Sequence, residues 1–90
     1  MAGSDNDSLL DFPCTFPIKA MGVADNEFDS FVVSIVRSHV EDLSEGAVKT
    51  RPSRNGKYLS VTVTIHAHSQ RQIDDLYREL SGHERVLMVL

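Results

Sequence analysis

One stretch of strict alternation limits the folds open to this chain more than any other feature of its sequence. Within residues 58–67, one set of alternating positions is apolar: Leu59, Val61, Val63, Ile65 and Ala67. The residues between them are Tyr58, Ser60, Thr62, Thr64 and His66. Because successive side chains of a strand point to opposite faces, the pattern predicts a strand with one buried face and one face that is solvated or meets a partner. The sheet that holds it is expected to be covered on one side only.

Two amphipathic segments predict helices. Residues 25–43 carry apolar side chains at three-and-four spacing, and Asp25 or Asn26 is expected to cap the first turn. A second helix is expected to start after Ser69, which forms a capping box with Gln72, and to end at Gly82. The apolar stripe of the first helix consists of Phe28, Phe31, Val32, Ile35, Val36, Val40 and Leu43.

Three further segments, residues 14–23, 47–53 and 85–90, predict strands. The Asn55-Gly56 pair before the alternating strand is favoured in tight hairpins. The element order is therefore strand, helix, strand, strand, helix, strand. With right-handed crossovers, this order favours an α+β ferredoxin-like sandwich, in which a four-stranded antiparallel-type sheet of order 4-1-3-2 carries both helices on one face.

Composition indicates one small globular domain. The 90 residues are 41% hydrophobic and 24% charged, which is ordinary for such a domain. Residues 1–11, with Gly, Ser, Asn and three aspartates, predict a flexible arm, and residues 12–90 the single domain. There is no apolar stretch near the ~20 residues of a membrane span and no secretory-signal pattern in residues 1–8. The single cysteine, Cys14, excludes an internal disulfide, so a reducing cytoplasm is the expected compartment.

Three separated motifs resemble the bacterial YbeD family, small proteins of unknown function. They are Phe12-Pro13 and Phe16-Pro17 leading to residues 19–22 (KAMG), residues 53–65 (SRNGKYLSVTVTI), and residues 76–80 (LYREL) leading to 86–90 (VLMVL). The resemblance covers about residues 9–90. It implies a bacterial cytoplasmic protein with a ferredoxin-like fold similar to amino-acid-sensing ACT regulatory domains. It transfers no catalytic or binding residues, because the family has no assigned activity.

Two positions are candidate binding sites. Lys49, Arg51, Arg54 and Lys57 form a basic segment without an intervening acidic residue, which predicts a site for an anionic ligand or an acidic partner. The alternative is a solvated sheet edge whose basic side chains discourage aggregation. At the exit of the first strand, Gly22 is a candidate ligand turn, because a residue without Cβ permits close backbone approach. The alternative for Gly22 is an ordinary strand-exit turn.

Residue types that carry catalysis or bind metals do not assemble into a motif. His66 and His68 are two apart and share a strand face, but two imidazoles alone bind a metal weakly. Cys14 has no adjacent base and is expected to be a half-buried strand residue. Asp74 and Asp75 are consecutive on a helix and point in different directions. The sequence therefore predicts no catalytic residue, no metal site and no cofactor, and hence a protein that is not an enzyme.

In the final predicted strand, residues 86–90 are apolar on both faces although the fold places this strand at a sheet edge. An uncovered edge of this kind promotes aggregation, so a cover is expected. Two covers are open: the segment with Leu9, Leu10 and Phe12 folding back, or a second subunit, which would make a homodimer through the C-terminal edge strand.

Two functional hypotheses follow. The first is a non-catalytic regulatory or ligand-sensing module, ACT-like in architecture, that binds a small molecule or a protein. The second is a protein-interaction adaptor that uses the basic hairpin or the open sheet face. Nucleic acid and membrane are disfavoured as partners, because the net charge is −4 and the open face of the third strand has one aromatic residue, Tyr58.

Overall fold

The computed structural model describes residues 10–90 and contains four strands and two helices. The strands are β1 (Cys14–Val23), β2 (Val48–Pro52), β3 (Tyr58–Ala67) and β4 (Val86–Val89). The helices are α1 (Phe28–Arg37) and α2 (Gln70–Ser81), and a short 3-10 turn (Glu45–Ala47) precedes β2. The sheet order is β2-β3-β1-β4 and every neighbouring pair is antiparallel. This is the predicted order read from the opposite edge, so the ferredoxin-like α+β prediction is confirmed.

The two central strands, β1 and β3, pair over their whole length, from Cys14 opposite Ala67 to Val23 opposite Tyr58. Pro17 is tolerated in this central strand because of where its missing N–H would point. Lys19 exchanges both backbone hydrogen bonds with Leu90, at 2.8 and 3.1 Å. The backbone N–H and C=O groups of successive residues in a strand point to opposite sides, so the backbone nitrogen of Pro17, two residues before Lys19, also points towards the β4 side. At this position it lies past Leu90 and has no partner in β4. No β3 hydrogen bond is lost.

Both helices pack on one face of the sheet. Val61, Val63 and Ile65 are fully buried beneath them, which confirms that the alternation in β3 marks a covered and an open face. Apolar burial of this kind is the main term that stabilises a small domain without disulfides. The buried core consists of Ile18, Ala20, Phe28, Val32, Ile35, Val36, Val40, Val61, Val63, Ile65, Ala67, Ile73, Leu76, Leu80 and Val86.

Helix α1 is shorter than predicted, with ten residues in place of the segment 25–43. The Ser38 hydroxyl donates to the Ile35 carbonyl at 2.6 Å, which occupies a backbone acceptor at the end of the helix. β-Branched residues lower the helix propensity of this segment, so packing decides where the helix stops. Val40 is nevertheless buried and Leu43 packs against the core from irregular backbone. The apolar spacing was therefore informative about burial and wrong about helix length.

Helix α2 matches its predicted bounds. The Ser69 hydroxyl accepts the Gln72 N–H at 3.1 Å, which is the predicted cap. The Gln72 side chain accepts the His68 N–H at 2.7 Å and donates to the His39 carbonyl at 2.9 Å. His39 also contacts the Glu79 carboxylate at 2.6 Å. Gln72 and Glu79 thus attach α2 to the chain that follows α1.

The β2–β3 hairpin differs from a tight two-residue turn. Ser53 donates its N–H to the Tyr58 carbonyl at 2.8 Å, and residues 54–57 form the loop between them. Only Gly56 has a positive φ, 76°. The Asn55 side chain accepts from the Lys57 N–H at 3.1 Å and from the Ser53 hydroxyl at 3.0 Å. Side-chain hydrogen bonds therefore replace the second positive-φ residue that a type I′ turn needs.

The cap predicted at the start of α1 is also different, because Glu27 occupies the N-cap position and makes no side-chain cap bond. Asp25 accepts the Glu27 N–H at 2.8 Å and pairs with Arg85 at 2.9 Å. The Glu27 N–H is the main reason that the pKa of Asp25 lies below its ordinary value of 3.8. Desolvation opposes this effect, and the hydrogen bond and charge of Arg85 lower the pKa further.

The lowered pKa of Asp25 predicts a pH dependence of stability. A carboxyl group whose folded pKa lies below its unfolded value stabilises the fold above the unfolded value, and this contribution is lost as the pH falls through the folded value. The wild-type chain is therefore expected to be more stable than Asp25→Asn at neutral pH. The difference should shrink once the pH falls below 3.8. Urea unfolding of both chains across the acidic range measures it, and a difference that stays constant to the acid limit would contradict the assignment.

Among residues 10–90, neither helix has the length and apolar character that crossing a membrane requires. Most of the predicted arm, residues 1–11, lies outside the described residues, including Leu9. Leu10 and Phe12 are half-buried and pack against the core. They lie before the start of β1, whereas β4 pairs with its last part, Ala20 to Gly22.

Candidate anion-binding face

Basic and acidic residues are concentrated in different segments of the chain. Segments 14–23, 48–67 and 86–89 contain every strand and the hairpin, and they hold five of the nine basic residues and none of the thirteen acidic residues. Their formal charge is +5, and the remaining four basic and thirteen acidic residues give −9. The five basic residues are Lys19, Lys49, Arg51, Arg54 and Lys57. An acidic protein thus has a basic sheet layer.

The strand register aligns basic side chains on the open face. Lys49 lies opposite Thr62, which lies opposite Lys19. Because directly paired residues share a sheet face, all three belong to the face that carries Thr62, opposite the helices. The adjacent row is Arg51, Ser60, Met21 and Met88. The open face is therefore basic at β2 and apolar at β4.

A broad, open concavity lies on the β2 half of this face. Its volume is about 510 Å³. It combines three cationic side chains with hydroxyl groups and the Tyr58 ring. The lining residues are Lys19, Met21, Arg51, Pro52, Ser53, Arg54, Tyr58 and Ser60. We call the surface formed by Lys19, Lys49, Arg51 and Arg54 the basic face.

Within residues 10–90, the cations of the basic face form no ion pair with an acidic side chain. The ion pairs formed by described residues involve His39, His83, Arg78 and Arg85, all outside the basic face. The four basic-face side chains are exposed, so their guanidinium and ammonium groups are open to an incoming anion. Arginine binds carboxylates and phosphates through two parallel hydrogen bonds, and lysine as a point charge. The arrangement is suited to binding several negative charges.

The structure brings together most of the predicted basic segment. Lys49 and Arg51 share the open face as predicted, and Arg54 lines the concavity. Lys57 instead places its ammonium 5.4 Å from the centre of the Tyr58 ring. Lys19 is the residue that sequence reasoning missed. The alternation in β1 puts Lys19 on the open face, but only the strand register shows that it lies in line with Lys49.

Packing alone accounts for Gly22. It is buried, and a Cβ at this position would collide with the Arg85 carbonyl oxygen and with the edge of the Phe28 ring. The backbone approach that a glycine permits is therefore already used by the protein itself. The ligand role of Gly22 stays a prediction.

The other candidate groups do not combine into a chemical site. His66 and His68 are exposed and line different surface grooves. Cys14 is half-buried at the start of β1, as predicted. Asp74 accepts from Gln70 and Asp75 pairs with Arg78, so the two carboxylates have separate partners. In the part of the chain that the structure describes, no three His, Cys, Asp or Glu side chains form a group that could hold a metal ion.

Similarity to solved structures supports the fold. The solution structure of protein HP0495 from H. pylori superimposes with a TM-score of 0.71 at 14% identity, covering 100% of this chain and 94% of that one. At this identity the likeness concerns the fold alone.

Sequence comparison identifies relatives over nearly the whole chain. A UPF0250 protein of Paraburkholderia phytofirmans is 47% identical and covers 97% of this chain and 98% of its own. UPF0250 protein NE1487 of Nitrosomonas europaea is 45% identical, covering 93% of this chain and 97% of its own. The family model described as "Protein of unknown function (DUF493)" matches residues 7–90. The likeness to YbeD seen in the three motifs is thereby confirmed, and the chain belongs to the UPF0250 family of uncharacterised proteins.

Proposed function

We propose that this protein is a non-catalytic binding module that holds an acidic segment of a partner protein on its basic face. The observation that carries the proposal is the charge segregation: the strands and hairpin have +5 while the rest of the chain has −9. Exposed cations that form no ion pair with residues 10–90 repel one another, and a bound carboxylate-rich segment offsets that repulsion.

An acidic polypeptide fits the basic face better than RNA does. Single-stranded RNA is bound by stacking bases on aromatic side chains of the central strands. The open face of β3 offers Tyr58 alone, and the open-face positions of β1 are Thr15, Pro17, Lys19, Met21 and Val23. The acidic residues outside the strands and the hairpin, eleven of them within the described residues 10–90, also repel a long polyanion.

The ligand-sensing alternative has less support. Small-molecule sites usually enclose most of the ligand surface, whereas the concavity beside Arg51 is open to one side. The turn at Gly22, where an ACT-like ligand is predicted, is filled by Phe28 and the Arg85 carbonyl. A rise in melting temperature with one member of an amino-acid and metabolite panel, without binding of acidic peptides, would favour this alternative instead.

Charge reversal on the basic face is expected to weaken binding of an acidic peptide. The probe is a fluorescein-labelled peptide rich in Asp and Glu, measured by anisotropy at low ionic strength. The variant Arg51→Glu Arg54→Glu should raise the dissociation constant by about tenfold, since two exposed charge contacts are worth about 1.4 kcal/mol together. Added salt should weaken the wild-type complex as well, because exposed charges are screened.

Arg71→Glu is the matched control. Arg71 is exposed in the first turn of α2 and changes the net charge by the same amount per substitution as each basic-face variant. It should leave peptide affinity unchanged. An Asn/Gln-rich peptide of the same length should not bind. The proposal would be wrong if Arg71→Glu weakened binding as much as Arg51→Glu, or if a single-stranded RNA oligonucleotide bound more tightly than the acidic peptide.

A further inference from the structure

The exposed apolar side chains of this protein lie together at one side of the sheet. Among the described residues, the large hydrophobic side chains with high exposure are Val23 (54%), Leu87 (57%), Met88 (50%) and Leu90 (61%). Three of them belong to β4 or follow it directly, and Val23 ends the neighbouring strand β1. Scattered exposed hydrophobic residues are ordinary, but a group of them on an edge strand and its neighbour is typical of an interface.

The two edges of the sheet differ in their protection against pairing. The β2 edge carries Lys49 and Arg51 and ends in Pro52, which are devices that discourage strand addition. The β4 edge, Val86–Val89, contains no charged residue and no proline. The β2 edge is therefore protected against the addition of a further strand, and the β4 edge is open to it.

Backbone groups of β4 are available for that strand. Leu90 exchanges both hydrogen bonds with Lys19 across the β1–β4 ladder. Since hydrogen-bonding direction alternates along an antiparallel strand, the N–H and C=O of Val89 face away from β1.

Helix α2 extends the same surface. Gln72 and Glu79 face the chain after α1, to which they are hydrogen-bonded. At 3.6 residues per turn, Tyr77 lies on nearly the opposite flank of α2, and its half-buried ring packs against the core. Because α2 packs on β4, this flank borders the open edge.

We infer that the protein forms a symmetric homodimer in which β4 pairs antiparallel with β4 of a second copy. Charge selects this arrangement among the symmetric ones. Contact between two open sheet faces would bring the two basic faces together. Contact between two helix layers would join segments 24–47 and 68–85 of both copies, which hold ten acidic and four basic residues. The uncharged β4 edge meets itself without like-charge repulsion. Of the alternative cover, the described residues Leu10 and Phe12 pack against the core ahead of β1, whereas β4 pairs with the last part of that strand.

The dimer has a defined consequence for the basic face. Antiparallel strands are related by a two-fold axis perpendicular to the sheet, so the two open faces lie on the same side of one eight-stranded sheet. Each basic face then extends from β1 to the outer strand β2 of its own copy, and the two β2 strands are about 34 Å apart, which is seven strand spacings. Bivalent binding of an acidic partner rests on the proposed function, whereas the dimer itself does not.

Sedimentation equilibrium of the full chain tests the dimer. The wild-type chain is expected to change with concentration from its own mass of 10.0 kDa to twice that value. Leu87→Lys and Met88→Lys place a charge at exposed positions on the pairing edge and should shift the dissociation constant upward by at least about tenfold. The control Thr50→Lys adds the same charge at an exposed position of β2 and should leave the mass unchanged.

A crosslinking variant keeps the test decisive if a lysine variant unfolds. In a Cys14→Ser background, Leu87→Cys places one thiol near the two-fold axis, and oxidation should give a disulfide-linked dimer. A wild-type chain that remains monomeric at high concentration would overturn the inference. A dimer that survives both lysine variants would also overturn it. The same holds if the Val89 amide of a monomer is protected from hydrogen exchange and this protection is lost when residues 1–9 are deleted.

Discussion

Replacing Phe28 by alanine is expected to lower the free energy of unfolding by about 3–5 kcal/mol. Phe28 is 1% exposed and is the largest of the fully buried side chains. Its removal gives up the transfer energy of the ring and leaves a cavity between α1 and the sheet that a close-packed core fills only in part. Since small domains are stable by only about 5–15 kcal/mol, the variant should lose a large part of its free energy of unfolding.

Urea unfolding followed by far-UV circular dichroism measures this effect. Phe31→Ala is the matched control, because Phe31 is the same residue type one turn later in α1 and is only half-buried. The centre of its ring lies 4.7 Å from Cζ of the Arg85 guanidinium and 5.1 Å from the centre of the His83 ring. Phe31→Ala should lower the free energy of unfolding by clearly less than Phe28→Ala does. Equal costs for the two substitutions would show that Phe28 does not hold the core as described.

The second large effect is expected for Gly22→Ala, at about 1–3 kcal/mol of destabilisation. The added methyl group would overlap the Phe28 ring and the Arg85 carbonyl oxygen. The ring can turn or shift, but the carbonyl belongs to the backbone that leads into β4 and can move only with that strand. Gly46→Ala is the control, because nothing lies within 4 Å of a Cβ at Gly46.

A double-mutant cycle separates the two contacts of Gly22. In a Phe28→Ala background the ring is gone, so Gly22→Ala should cost less than it does in the wild-type chain. The cost should not vanish, because the Arg85 carbonyl remains. The changes in unfolding free energy caused by two substitutions are non-additive when the residues are in contact. For distant residues these changes add within about 0.5 kcal/mol. Simple additivity would contradict the packing described for Gly22.

Some features could be predicted from the sequence because their cause is local. The covered face of β3 follows from the alternation of Val61, Val63 and Ile65, and burial confirms it. The start of α2 follows from the Ser69 hydroxyl and the Gln72 N–H, three residues apart. The sheet order follows from the sequence of elements and the handedness of their crossovers.

Other features depend on residues that are distant in the chain. Helix α1 ends at Arg37 although the apolar spacing continues to Leu43, because backbone that leaves the helix can still bury these side chains. The hairpin uses Gly56 alone for its positive φ, because hydrogen bonds of Ser53 and Asn55 supply the rest of the turn. Local propensity does not report such compensation.

The candidate site divides in the same way. Periodicity and composition alone determined that one sheet face is apolar and buried, that the other is polar, and that Lys49 and Arg51 share a side. Only the tertiary structure decided that Lys19 joins them, that Lys57 turns to Tyr58, and that Phe28 occupies the space over Gly22. The physical reason is that side-chain direction repeats along a strand or helix, whereas proximity between elements depends on register and packing, which involve the whole chain at once.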